Sequence, residues 1–320
     1  MSTAVTLISD GSTLPTALGP DLAAAIDLAK AEKAASTRKA YATDFRLFRE
    51  WCEARGVLSL PAAPETVAAY LAAHASTSKA STLGRRVAAI RYAHKLASLA
   101  LPTDAEGVKA TMRGIRRTYG SARVRKVPAV AGKMLGMVAT APDKFAGLRD
   151  RALLLVGFGG ALRRSELVAL DVSDIEATET GLLVKIRGSK TDQERAGATI
   201  AIARGDVACP AMALREWLEA AGIESGPIFR PIDKGGTVRT TRLTDRSVAN
   251  IVKAYASRAG FDASVFSGHS LRAGFLTSAA GKGASIFKMM DVSRHKSVDT
   301  LRGYVRDAEL FKDHAGAGLL

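Results

Sequence analysis

The first clear helical pattern of the chain runs from Tyr41 to Cys52. Tyr41, Phe45, Phe48, Trp51 and Cys52 recur at the spacing of one helix face, while Arg38, Lys39, Arg46, Arg49 and Glu50 take the other sides. The pattern predicts a helix that begins at Ser36-Thr37 and stops at Gly56, with its aromatics in a core. Asp21 is placed to cap a shorter helix ahead of it, through about Lys33. Pro61 to Ala73, with Pro64 and Glu65 at the helix start, gives the next, and Ser78 to Ala97 another, with Val87, Ile90, Tyr92 and Leu96 on its apolar side. Asp104 to Tyr119 completes the set. Residues 1–20 are rich in Ser, Thr, Gly and Pro without periodicity and read as a flexible arm.

A basic, turn-rich stretch then interrupts the pattern, so the expected organisation is an arm (1–20), a helical domain (21–120), a linker (121–128) and a second domain (129–320). In the second domain Phe145 to Phe158 is strongly apolar, a buried helix broken by Gly159-Gly160. Leu182 to Ile186 and Ala198 to Ala203 read as two strands of a hairpin with Lys190 near its tip. Pro210 to Ala221 is helical, and a further helix within Arg239 to Ala256 leads towards His269. The nine-residue step from His295 to Tyr304 fits a turn followed by a helix. The fold class expected is mainly α with a small β-sheet: a helical N-terminal domain and a mixed α/β second domain.

Composition adds direction. At 320 residues and 47% hydrophobic, the chain is long enough for two domains with proper cores. Its net charge of +15 makes an anionic polymer the first partner to consider. The charge is concentrated: residues 79–126 hold 12 Lys and Arg against 2 acids, whereas residues 1–78 hold 7 against 8. Lys79, Arg85, Arg86, Arg91, Lys95, Lys109, Arg113, Arg116 and Arg117 therefore stand as candidate contacts to nucleic-acid phosphates, with almost no compensating acid in the block. Cys52 and Cys209 are far apart and lack metal-ligand spacing, which points to neither disulfides nor zinc. The N-terminus lacks a signal-peptide pattern and no apolar run reaches membrane length, so a soluble, cytoplasmic protein without a membrane partner is expected.

Candidate chemistry gathers in three places: Gly-Ala-Leu-Arg-Arg-Ser-Glu-Leu at Gly160 to Leu167, Ser189-Lys190-Thr191, and the stretch from His269 to Tyr304. His269 and Arg272 share one helix face, as do Arg163 and Glu166, where the carboxylate can hold the guanidinium. Fixed cations of this kind suit a phosphate, and a phenol beside them is a candidate nucleophile, with Tyr255 the nearest other tyrosine to Tyr304 in sequence. Each fragment alone has a bland reading: His-x-x-Arg recurs by chance on helices, an i,i+3 Arg-Glu pair is usually a surface ion pair, and a hairpin-tip lysine is usually solvated.

The order Arg163, Lys190, His269-x-x-Arg272, His295, Tyr304 resembles the tyrosine recombinase (phage integrase) family, closest to its Cre-like members, over essentially the whole chain. The resemblance implies a helical core-binding domain that grips double-stranded DNA at a specific recombination site, followed by a catalytic domain. It implies that Tyr304 attacks a backbone phosphate to give a 3′-phosphotyrosyl link, with Arg163, Arg272 and His295 stabilising the phosphorane, Lys190 as acid, His269 as base and Glu166 orienting Arg163. Neither a metal nor another cofactor is called for. It further implies a monomer when free, a homo-tetramer on DNA, and a C-terminal tail (Leu310, Phe311, Leu319, Leu320) that docks on a neighbouring subunit. Three departures stand out: Ala161 replaces a common Gly, Ala273 a common His, and Ser293-Arg294 the usual Leu-Gly ahead of the later histidine. Arg294 is expected to change packing beside the site or add a phosphate contact. A type IB topoisomerase-like activity and a non-catalytic DNA-binding protein of the same fold are the alternative readings.

Overall fold

A computed structural model describes residues 32–121, 126–188 and 197–308, with residues 21, 24, 25 and 28 ahead of them. The predicted arm, most of the helix expected between Asp21 and Lys33, Lys190 at the hairpin tip, and the tail residues Leu310, Phe311, Leu319 and Leu320 lie outside the described residues. The chain divides into two units, Met1–Val124 and Arg125–Leu320.

The first unit is built from α1 (Ala35–Glu53), α2 (Pro64–Ala73), α3 (Ala80–Leu96) and α4 (Glu106–Tyr119). The α1 periodicity does what the pattern requires: Phe48 and Cys52 are buried, with Phe45 and Trp51 packed against them. Pro64 opens α2 in its first turn, where a missing N–H costs nothing. Phe48 and Trp51 meet Tyr70 of α2 edge-on, at 5.0 and 5.4 Å between ring centroids.

The basic block is less naked than its composition implies. Asp44, buried on α1, accepts both Nε (2.6 Å) and Nη2 (3.1 Å) of Arg85. Arg91 pairs with Asp104 and Arg113 with Glu106. Arg86 leans over the Tyr70 ring at 5.6 Å, with its Nε and Nη1 buried and unbonded. The 2 acids counted in the block are thus Asp104 and Glu106, on Arg91 and Arg113; the expectation of an almost uncompensated block is corrected at Arg85, and at Arg86 the guanidinium is partly withdrawn from solvent. Composition misses this because Asp44 lies outside the block and is brought to it only by the packing of α1 on α3. Lys79, Lys95, Lys109, Arg116 and Arg117 are exposed, with no carboxylate in ion-pair distance among the described residues.

The second unit runs α5 (Ala131–Ala139), α6 (Phe145–Gly159), α7 (Arg164–Ala169), a three-stranded antiparallel sheet, α8 (Pro210–Ala220) and α9 (Asp245–Arg258). It ends with α10 (His269–Gly281), α11 (Ile286–Ser293) and α12 (Val298–Ala308). In the sheet, β2 (Gly181–Ile186) and β3 (Ala198–Ala203) form the predicted hairpin, with Val184 opposite Ile200 and Leu182 opposite Ile202. The edge strand β1 (Ile175–Thr178) was not legible, because Ile-Glu-Ala-Thr carries no buried alternation and owes its form to pairing with β2.

The apolar run of α6 is buried on nearly every side, with Leu153, Leu154 and Val156 in the core beside Leu167, Trp217, Val252 and Leu271. Gly157 makes this possible: a Cβ there would come within 2.9 Å of both Leu167 of α7 and Leu271 of α10. Its absence lets α7 and α10 close on the same turn of α6. Gly274 does the same for the incoming chain, since a Cβ there would lie 2.0 Å from the carbonyl oxygen of Ala129. Among the described residues no helix is long and apolar enough to cross a membrane.

Candidate active site

The approach of α7 and α10 to α6 gathers the sequence-predicted residues of the second unit. After α6 the chain turns through Ala161, which is buried and held at φ +45°, in the left-handed region. This turn aims the Ala161 carbonyl at Arg272, whose Nη1 donates to it at 2.6 Å. Gly is common at this position in the resembled family because the conformation strains a side-chain-bearing residue, by roughly 1–2 kcal/mol. Two residues on, Arg163 caps α7, and Glu166 closes the first turn by accepting from the Arg163 backbone N–H at 2.8 Å.

Glu166 also accepts Arg163 Nη1 at 2.6 Å, so the predicted pairing forms. Its other partner was missed. Arg294 Nη2 donates to Glu166 Oε2 at 2.6 Å, across 128 residues of sequence. Arg294 terminates α11 in the left-handed region, at φ +56°, and its side chain is largely buried. Of the two expectations for Arg294, changed packing beside the site is the one the structure shows: its guanidinium points inward, with Nη2 on Glu166 and Nη1 on the Val292 carbonyl at 2.9 Å. Burial pushes the Glu166 carboxyl up, but Arg294 and then the Arg163 N–H groups outweigh it and hold it below the usual carboxylate range.

Arg272, one turn into α10, is 1% exposed. Besides Ala161 it donates through Nη2 to the carbonyl of Ser293 and lies 3.3 Å from both ring nitrogens of His295. Burial, and then the charge of Arg163, lower its pKa to about 10, which leaves it charged at neutral pH. Two carbonyls and an imidazole thus replace the water that a guanidinium loses on burial.

His295 sits in the turn between α11 and α12. Burial, followed by Arg272, Arg163 and His269, pushes its pKa down to about 4. It is therefore neutral at physiological pH and contributes no fixed positive charge. His269, at the solvent-facing start of α10, is also lowered, by crowding of the surrounding protein and then by Arg272, Arg163 and Arg164. Its Nε2 lies 3.3 Å from the Tyr304 hydroxyl. Tyr304 is carried by α12, seated by Leu301 in a small cluster with Leu276, Ala280 and Met289, and its ring is 6.4 Å from that of His295.

Arg163, Glu166, His269, Arg272, His295 and Tyr304 are therefore brought to one place. Lys190 lies outside the described residues. Tyr255 is elsewhere: it is 2% exposed in the core, and burial, then Asp150, push its phenol up to about 12. Among the described residues no three His, Cys, Asp or Glu side chains converge as a metal site. Ser293 and Arg294 stood out in the sequence as a departure from the common Leu-Gly pair, but their partners, His295 and Glu166, were not legible there.

Residues 131–310 match the phage integrase family. The integrase/recombinase XerD homologue of Selenomonas ruminantium is 42% identical over 290 residues, covering 88% of this chain and 85% of that protein. The Cre recombinase of Escherichia phage P1 is 25% identical over 284 residues, 82% of each chain. Among solved structures, the XerH recombinase in a post-cleavage complex with difH DNA has a TM-score of 0.65 at 16% identity, covering 88% of this chain and 79% of that one. Lambda integrase bound to DNA gives 0.60 at 20% identity, with 89% and 94% covered. Those two likenesses show the fold, and the family rests on the sequence matches. The chain belongs to the phage integrase family, the tyrosine recombinases, enzymes of site-specific recombination that break and rejoin DNA.

Proposed function

We propose that this chain cleaves one DNA strand at a time through Tyr304. The observation that carries the reading is the Tyr304 hydroxyl, 3.3 Å from His269 Nε2 and on the unit that also holds Arg163 and Arg272. His269 is neutral, with its pKa held below the ordinary value, so it can take the phenolic proton as Tyr304 Oη attacks the phosphorus. The P–O5′ bond breaks, a 3′-phosphotyrosyl link forms, and the 5′-oxygen leaves with a proton supplied by Lys190, the role the family resemblance assigns. Arg163 and Arg272 meet the charge on the phosphorane, and their cost of organisation has been met in folding. The 5′-hydroxyl of a second strand then attacks the link, and two such exchanges carry two duplexes through a Holliday junction.

The N-terminal unit supplies sequence-independent grip through its exposed Lys and Arg. Four copies would act on two sites, with the tail after Tyr304 docking between neighbours. A nicked suicide substrate tests the reading. The wild-type protein is expected to form a covalent adduct that maps to Tyr304, while Tyr304→Phe binds the same DNA and forms none. An adduct persisting in Tyr304→Phe would refute the assignment.

A further inference from the structure

A second charged junction lies on the loop that leaves α7. Arg187 is the first residue beyond the β2–β3 ladder, which closes with Ile186 opposite Ala198. It donates through Nε to Asp174 Oδ1 at 2.7 Å and pairs through Nη1 with Asp171 Oδ2 at 2.9 Å. Its Nη2 lies 3.4 Å from Ser173 Oγ. Both carboxylates are also held by other groups. Asp174 Oδ2 accepts the Asp171 backbone N–H at 2.9 Å, and Asp171 Oδ1 accepts Arg242 Nη2 at 2.6 Å. Arg242 Nη1 in turn donates to the carbonyls of Val168 and Leu170, at 2.7 and 3.1 Å, on the last turn of α7 and just past it. Asp174 is buried and Asp171 mostly so, whereas the Arg187 side chain is half exposed. The two aspartates thus form a receptor fixed independently of Arg187, on the segment that continues the helix capped by Arg163. A half-exposed ion pair contributes little to stability, but a guanidinium forked onto two fixed carboxylates sets the direction of the chain that carries it.

We propose that Arg187 is a positioning residue that acts through Lys190, by fixing the end of β2 to the loop after α7 so that the chain beyond it delivers the lysine ammonium to the leaving 5′-oxygen. The proposal rests on the strand-cleavage reading above, with Lys190 as its acid. Lys190 is three residues further on in sequence, so covalent geometry alone keeps its Cα within about 11 Å of that of Arg187. In the step concerned, the P–O5′ bond breaks as the bond from Tyr304 Oη to phosphorus forms, and a proton passes from Lys190 to the 5′-oxygen. An ammonium on a flexible four-carbon stem gives up that proton only where its backbone brings it within hydrogen-bond reach. Arg163 and Lys190 are then registered on one junction: α7 begins at the first, and its exit loop grips the chain leading to the second. A solvated ion pair would have no such selectivity, because its loss would not depend on the leaving group.

The test is adduct formation by the full chain on two suicide substrates, one with the normal 5′-oxygen and one with a 5′-bridging phosphorothiolate, whose sulfur leaves with little need of a proton. Arg187→Met is expected to slow cleavage of the oxygen substrate by roughly a hundred-fold and to recover most of that loss on the sulfur substrate, as Lys190→Ala does. Arg187→Lys keeps the charge but reaches one carboxylate at a time, and should show a smaller loss with the same rescue. It decides the matter if melting and gel shift show that Arg187→Met does not fold. A folded Arg187 variant that loses as much on sulfur as on oxygen, or loses nothing on oxygen, would overturn the proposal. Failure of both variants to fold would overturn it too, since Arg187 would then hold the fold rather than the acid. Lys190→Ala left without rescue would instead refute the acid assignment above, and a wild type that forms no adduct would refute the cleavage reading.

Discussion

The two units use arginine in opposite ways. Arg85, Arg91 and Arg113 of the first unit are about half exposed, paired with single carboxylates at the rim of their helices. Arg272 and Arg294 of the second are buried, and Arg163 is mostly so, each committed to carbonyls or to Glu166. An exposed guanidinium keeps its water and can trade a protein carboxylate for a DNA phosphate at little cost, so it contributes affinity that salt screens. A buried one has lost its water during folding and cannot reorganise cheaply. It contributes a charge fixed in place before DNA arrives, which is what a transition state requires and what binding alone does not. Counting positive charge along the sequence finds the first kind and understates the second.

The contrast can be broken most sharply at Arg272. Arg272→Lys keeps the charge but cannot serve both the Ala161 and Ser293 carbonyls, and adduct formation should fall by about a thousand-fold with DNA binding little changed. Single-turnover cleavage alongside a gel shift checks it. A Lys variant near wild type would mean that charge alone suffices there.

Next in size are the carboxylates. Glu166→Gln leaves Arg163 and Arg294 facing each other without their anion, and urea unfolding should show a loss of about 3 kcal/mol. Asp44→Asn in the first unit removes the partner of a half-exposed Arg85 and should cost only about 1 kcal/mol. Equal losses would erase the distinction between the units.

Acidification sharpens it further. The folded pKa of His295 is depressed to about 4 from an ordinary 6.5, so its neutral ring supports folding above about pH 6.5. That support is lost as pH falls towards 4, because the unfolded chain takes up the proton first. Glu166, also depressed, adds a loss at lower pH, as the solution falls through its folded pKa. His295→Gln should therefore flatten the fall in melting temperature between pH 7 and 5, and an unaltered slope would place the acid sensitivity elsewhere.

The smallest effects belong to the exposed cations. Charge removal at Lys109, Arg116 or Arg117 should each lower the log–log salt slope of DNA binding by about 0.9, leaving the cleavage step of bound complexes untouched. The same change at Arg86, partly buried over Tyr70, should alter the slope less. If Arg86 instead dominates the slope, its buried posture is not the one that meets DNA.

How much of this was legible follows from the range of each signal. The α1 stripe from Tyr41 to Cys52, the α6 run and the β2–β3 hairpin were readable because helix and strand periods are set by neighbours a few residues apart. The sequence also displayed the residues that the structure assembles beside Tyr304, through their order and local context. It marked Ser293 and Arg294 as unusual without saying what they do. Only the tertiary structure decided that Arg294 turns inward to Glu166, that Ser293 backs His295, that the Ala161 carbonyl receives Arg272, and that Asp44 neutralises Arg85. Each of these joins atoms whose meeting depends on which helix faces pack together and at which turn. A left-handed residue at position 161 or 294 re-aims a backbone by an angle that no side-chain pattern encodes. Local periodicity builds the elements, but the partner of a buried charge is chosen by their packing.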